Sequence, residues 1–170
     1  MKLEDFIREI PDFPKEGILF KDITPLLQDS LAFKQAIDEL CDYFSQVEFD
    51  YIAGIEARGF LLGPIMAYEL DKGFIPIRKP GKLPAAKISA SYELEYGTNT
   101  LEMHRDACQP GDKVLLIDDL LATGGTAQAA VDLIEGLEAE VIGIGFLIEL
   151  VDLKGREDLK GYDVYSVLQE

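Results

Sequence analysis

The chain is poor in the residues that build metal centres and cross-links. It has two cysteines, Cys41 and Cys108, and one histidine, His104, in 170 residues. The cysteines form no spacing pattern, which predicts reduced thiols in a cytosolic protein rather than a disulfide framework. His104 has no Cys or His at a ligand spacing, so it is expected to pack or hydrogen-bond on a strand. Bases are also scarce: 16 Lys and Arg stand against 32 Asp and Glu, a formal net charge of −16. Nucleic acids and anionic membranes are gripped by clustered cations, so neither is an expected partner. The longest apolar run, Val141 to Ile148, falls well short of the ~20 residues of a membrane-spanning helix. The opening MKLEDFIREI has no apolar core of the kind a signal peptide needs. Neither GxGxxG nor GK[ST] occurs at a strand-to-helix loop, which disfavours dinucleotide and triphosphate sites. There is no internal repeat or low-complexity tract.

What is there fits one soluble domain, 1–170, with 48% hydrophobic residues and enough length to bury a core. Leu3 to Ile10 has the spacing of a short amphipathic helix that Pro11 stops. PDFPKEG, Pro11 to Gly17, is turn-rich. Asp29 and Ser30 can cap a helix running to about Phe44. Tyr51 to Ile55 reads as a strand, Ala57-Arg58-Gly59 as a tight loop, and Phe60 to Leu70 as a helix with Pro64 near its first turn. Phe74 to Ile77 is the next strand, and RKPGKLPAAK, Arg78 to Lys87, a basic Pro/Gly loop. Ile88 to Tyr96 alternates apolar and polar residues, as one arm of a hairpin that returns over Leu101 to Ala107. Val141 to Leu150 and Tyr162 to Leu168 are the last strand candidates. This rhythm predicts an α/β fold: a doubly wound, mainly parallel sheet flanked by helices, with a small N-terminal cap.

VLLIDDLLATGGT, Val114 to Thr126, is the most informative stretch. Val114 to Ile117 reads as a buried parallel strand ending at Asp118 and Asp119. Ala122, Thr123, Gly124, Gly125 and Thr126 form a small-residue loop, and a helical pattern follows from Ala127 to Glu138. Ligands of open α/β sheets sit off the carboxyl ends of strands. A loop entering a helix offers unpaired N–H groups and the positive end of the helix dipole, which suits a phosphate. Two adjacent acids alone are ambiguous between a metal site, a sugar site and a solvated strand end. The Gly/Thr loop favours a sugar phosphate, because its glycines let the backbone approach closely.

This stretch resembles the signature of the type I phosphoribosyltransferases, in the form carried by their adenine-using members. PDFPKEGILFKDITPLL (Pro11 to Leu27), AGIEARGFLLGP (Ala53 to Pro64), IRKPGKLP (Ile77 to Pro84), SYELEYG (Ser91 to Gly97) and LKGREDL (Leu153 to Leu159) resemble the same family in the same order. The resemblance implies transfer from 5-phosphoribosyl 1-pyrophosphate (PRPP) to a free purine, giving AMP and pyrophosphate when the base is adenine. It implies ribose binding by Asp118 and Asp119 and 5′-phosphate binding by Ala122 to Thr126. Pyrophosphate would meet Glu56, Ala57 and Arg58, with a non-proline cis bond expected at Glu56–Ala57, and the cations Arg78, Lys79 and Lys82. SYELEYG would be a flexible hairpin lid, and Glu95, Tyr96 and Arg58 would be catalytic, Glu95 managing the purine proton. Strict strand alternation would put Glu95 and Tyr96 on opposite faces. Leu19, Phe20 and Lys21 would bind adenine within a base-binding cap formed by residues 1–30. Lys21 departs from the Arg of the family pattern, which matters little if the base is read by backbone. Mg²⁺ is implied, held mainly by the substrate rather than by a protein site, as is a cytoplasmic homodimer. A same-fold enzyme for a 6-oxo purine is the near alternative. A non-catalytic PRPP or nucleotide sensor is the more distant one, since the lid motif is present and the charge is strongly negative.

Overall fold

A computed structural model describes residues 1–94 and 97–170. The residues cluster into two compact units, Met1–Glu39 and Leu40–Glu170. In the first, a 3-10 turn (Leu3–Phe6) precedes two short antiparallel strands, β1 (Arg8–Ile10) and β2 (Phe20–Asp22), and helix α1 (Thr24–Gln28). The amphipathic helix expected over Leu3 to Ile10 is therefore not formed. So few residues sustain little helix, and the cross-strand pairs Arg8–Asp22 and Lys21–Glu9 stabilise the ribbon instead. Helix α2 (Ser30–Phe44) begins where the sequence predicts it. Asp29 caps it, Oδ1 accepting the Leu31 and Ala32 N–H groups at 3.0 and 2.9 Å.

The second unit is built on a five-stranded, wholly parallel sheet. In chain order its elements are β3 (Tyr51–Ile55), a 3-10 turn (Arg58–Leu61), α3 (Gly63–Glu69), β4 (Gly73–Ile77), a hairpin of β5 (Lys87–Glu93) and β6 (Thr98–His104), β7 (Lys113–Leu121), α4 (Gly125–Gly136), β8 (Glu140–Glu149), two further 3-10 turns (Val151–Leu153 and Gly155–Leu159) and β9 (Val164–Gln169). The strand order is β4-β3-β7-β8-β9, with the acid-bearing β7 in the centre. Both faces of β7 are covered, as a near-continuous apolar run requires. On one face α4 and the hairpin bury Leu116, Val131, Ile134, Leu101 and Met103 in one cluster. On the other, Phe44 and Leu40 lie against β8 where it carries only glycine. A Cβ on Gly143 would sit 2.6 Å from the Phe44 ring, and one on Gly145 3.3 Å from Leu40. Among the described residues no helix is long and apolar enough to cross a membrane.

Several boundaries move. The helix expected over Phe60 to Leu70 splits at Leu62, and Pro64 falls in the first turn of α3, where its missing N–H costs nothing. The hairpin arms pair over Lys87–Glu93 and Thr98–His104. Ile88, Ala90 and Tyr92 turn toward the core, and Ser89, Ser91 and Glu93 away from it, as the alternation predicts. Most of the hairpin is thus packed body. Glu95 and Tyr96 lie outside the described residues.

Candidate functional site

The strand expected to end at Ile117 continues through both acids to Leu121. Its pairing partners explain why. On the β3 side pairing stops at Gly54↔Ile117. On the β8 side it runs on to Leu121↔Glu149. Asp118 and Asp119 therefore stand in a step of the sheet, where one neighbour has ended and the other keeps the backbone extended. Both are buried, at 8% and 6% exposure. The Asp119 N–H donates to Asp118 Oδ1 at 2.8 Å. Burial, and then the charge of Asp119, push the Asp118 carboxyl well above its usual pKa.

The turn after β3 fills the space beside that step. Its first peptide, Glu56–Ala57, is the cis bond expected there. Arg58 follows, its Nε 2.6 Å from Asp119 Oδ2. Glycine makes the approach possible: a Cβ on Gly59 would lie 3.1 Å from both Asp118 Oδ1 and the Ile117 carbonyl oxygen.

On the other side, Gly124 takes a left-handed conformation, φ 95°, and α4 starts at Gly125, two residues earlier than the apolar pattern suggests. Among the described residues no side chain caps this helix. Its first N–H groups have no intrahelical partner and point outward from the loop. They form an N–H-rich concavity suited to an anion.

A cavity of about 460 Å³ joins these parts. Glu56, Ala57, Arg58, Lys79, Asp118, Asp119 and Ala122 to Thr126 all line it. Arg78 and Lys82, expected beside them, do not. They pair instead with Glu56, at 3.3 and 2.6 Å, and the Lys79 N–H donates to the same carboxylate at 2.9 Å. Burial alone would raise the Glu56 pKa, but these three donors outweigh it and hold the group at about 2. The Glu56 carboxylate thus fixes the basic loop against the turn, leaving Lys79 as the loop's cation on the cavity.

Sequence reading missed four lining residues, Tyr92, Asn99, Leu120 and Leu121. Tyr92 lies in the SYELEYG motif and on the apolar side of the alternating arm, but neither signal placed it in the site. The hairpin carries that side onto the start of α4, where a Cβ on Gly125 would come within 3.3 Å of the Tyr92 ring. Asn99 faces Tyr92 across the hairpin, its side-chain amide 3.4 Å from the phenol oxygen. Among the described residues no group of three or more His, Cys, Asp or Glu could hold a metal.

Leu19, Phe20 and Lys21 belong to the first unit. Phe20 is half-buried and meets Phe13 edge-to-face at 5.0 Å. Leu19 is 47% exposed. Lys21 is largely buried beside Glu9.

The geometry coincides with clear relationships to known proteins. Residues 26–170 match the phosphoribosyl transferase domain family. Over all 170 residues the chain is 67% identical to an adenine phosphoribosyltransferase of Halothermothrix orenii, covering 100% of both. The crystal structure of the adenine phosphoribosyltransferase from Thermoanaerobacter pseudethanolicus superposes with a TM-score of 0.96 at 53% identity, covering 99% of this chain and 100% of that one. The Saccharomyces cerevisiae enzyme, solved with adenine and an imino-altritol bisphosphate, gives 0.92 at 43% identity, covering 98% and 96%. The chain belongs to the phosphoribosyl transferase domain family, among the adenine phosphoribosyltransferases.

Proposed function

We infer that the chain transfers the 5-phosphoribosyl group of PRPP to adenine, releasing AMP and pyrophosphate, as a purine-salvage enzyme. One observation carries this reading: a single cavity places the buried acids Asp118 and Asp119 between an uncapped helix start and an arginine-bearing turn. Each part suits one portion of PRPP. The two carboxylates accept hydrogen bonds from the ribose hydroxyls, and their charge favours the positive character that develops at C1′. The N–H groups of Thr123 to Thr126, with the two threonine hydroxyls, take the 5′-phosphate. The Ala57–Arg58 turn and Lys79 meet the pyrophosphate. A purine nitrogen attacking C1′ opposite the departing pyrophosphate inverts that centre.

Glu95 is assigned the purine proton and Tyr96 a contact near the pyrophosphate. A lid carrying the SYELEYG motif would exclude water from an otherwise hydrolysable centre. Leu19, Phe20 and Lys21, in the N-terminal unit, are assigned the base, with Phe20 stacking on it and the backbone reading its edge. Adenine offers an amino donor and ring-nitrogen acceptors. A 6-oxo purine reverses part of that pattern and leaves pocket groups unpaired, at about 1–3 kcal/mol each.

Mg²⁺ would be held mainly by the substrate, and Asp118 and Asp119 would act on it only through the ribose hydroxyls they bind. When bound it neutralises charge on the departing pyrophosphate. A homodimer is part of the reading, supported by the exposed apolar side chains Leu61, Ile65 and Tyr68 on and beside α3. So is a reducing, cytosolic setting, supported by the buried thiols Cys41 and Cys108. Replacing Asp118 and Asp119 together by Asn tests the ribose assignment. Turnover is expected to fall below detection in folded protein, and a double variant that still turns over at the wild-type rate contradicts it.

A further inference from the structure

The motif Leu153 to Leu159 has no place in the chemistry above, and none of its residues lines the cavity. Its position is nonetheless specific. The 3-10 turn Gly155–Leu159 lies flat against the back of the 5′-phosphate loop. A Cβ on Gly155 would fall 2.5 Å from the Ala122 carbonyl oxygen and 2.7 Å from Leu121 Cδ1. From the other side, a Cβ on Gly124 would meet the Gly155 carbonyl oxygen at 2.7 Å and the Asp158 Cβ at 3.0 Å. The two backbones touch because both contact positions are glycine.

Both ends of the turn are tied down. Leu159 is fully buried in the core cluster. Arg156 donates from Nε to Glu149 Oε1 at 2.8 Å and from Nη1 to the Val164 carbonyl oxygen at 2.9 Å. Glu149 is itself buried at the end of β8, and its other oxygen accepts from Ser166 Oγ at 2.8 Å. Glu149 pairs in register with Leu121, the last residue of β7, and the Leu150 N–H donates to the Leu121 carbonyl at 2.9 Å. The Arg156 fork therefore links β8, β9 and the turn at the point where β7 enters the phosphate loop.

We propose that Arg156 and Gly155 are positioning residues for the 5′-phosphate: the Arg156–Glu149 clamp presses the Gly155 turn onto Ala122 to Gly124 and holds that loop's N–H groups in their binding geometry. The proposal rests on the reading of the cavity as a PRPP site. A fork satisfied at two acceptors fixes orientation as a single ammonium does not, so lysine replaces it only in part. Small displacements of binding groups are enough to weaken a ligand severalfold or more.

The test is calorimetric titration of folded R156Q, R156K and G155A with two ligands separately: ribose 5-phosphate, and pyrophosphate with Mg²⁺. R156Q and G155A are each expected to weaken ribose 5-phosphate about tenfold while leaving pyrophosphate within about twofold, with R156K in between. A general loss of stability would affect both ligands alike. Should R156Q not fold, R156K and G155A decide. Ribose 5-phosphate binding unchanged in the folded variants, or both ligands weakened in step, overturns the clamp. Wild-type protein that binds neither ligand overturns the PRPP reading beneath it.

Discussion

Arg58 and Asp119 form an ion pair, Nε to Oδ2 at 2.6 Å, that joins the turn after β3 to the acid step in β7. The cation assigned to pyrophosphate and a carboxylate assigned to ribose are thus one electrostatic unit. Removing Arg58 leaves two adjacent buried acids with less compensation. R58Q is expected to lower kcat/KM by roughly 10²–10³-fold, the range for losing one positioned donor to developing charge. In a double-mutant cycle with D119N, the effects on stability should be non-additive by about 0.5–3 kcal/mol. Simple additivity in urea unfolding would show that the pair is only incidental.

Asp118 should be a residue the fold pays for. Burial, then the charge of Asp119, raise its pKa well above the usual 3.8. A raised carboxyl pKa means that the folded state binds the proton more tightly than the unfolded state. The resulting penalty is absent below about pH 3.8 and grows as pH rises. D118N should therefore be more stable than wild type at pH 7, by about 1–3 kcal/mol, while losing turnover. Its advantage should shrink on acidification. Urea midpoints across pH check this, and a variant less stable than wild type at pH 7 would contradict it.

Glu56 has the opposite sign. Three donors hold it at about 2, against a usual value of 4.5. A depressed carboxyl pKa contributes stability that is complete above pH 4.5 and is lost as pH falls through about 2. E56Q is expected to lose roughly 1.5–3 kcal/mol at pH 7, the range for hydrogen bonds to a charged group. The gap from wild type should close between pH 4.5 and 2, and a gap that widens with acid would rule the assignment out.

Gly124 serves two demands at once, a φ of 95° and contact with the Gly155 carbonyl. G124A meets both a left-handed backbone penalty and a 2.7 Å clash. It should cost about 1–3 kcal/mol of stability and raise the KM for PRPP while sparing that for adenine. Differential scanning calorimetry and initial rates separate the two effects.

The parallel sheet was legible because buried strands such as Val114 to Ile117 and Val141 to Leu150 carry continuous apolar runs, and the hairpin because Ile88 to Glu93 alternates. The acids and the loop after them stood out as a candidate sugar-phosphate site because glycine, threonine and paired carboxylates meet at a strand-to-helix junction. The continuation of β7 to Leu121 was not legible, because it depends on β8 outrunning β3, a property of the neighbours. Nor was the pairing of Arg78 and Lys82 with Glu56, whose partners lie 22 and 26 residues away. A basic loop looks the same in sequence whether its charge meets a ligand or a carboxylate. Tyr92 was hidden by its own periodicity, since a ring on the apolar face of a strand reads as core.

The central claim is adenine-specific transfer from PRPP, and it is tested most directly by incubating the protein with PRPP, Mg²⁺ and one base at a time. Adenine should give AMP and stoichiometric pyrophosphate. Hypoxanthine, guanine and xanthine should each react at least about 10²-fold less efficiently, because each leaves polar groups of the base pocket unpaired. No AMP from adenine, or another base turned over as well as adenine, would contradict the account.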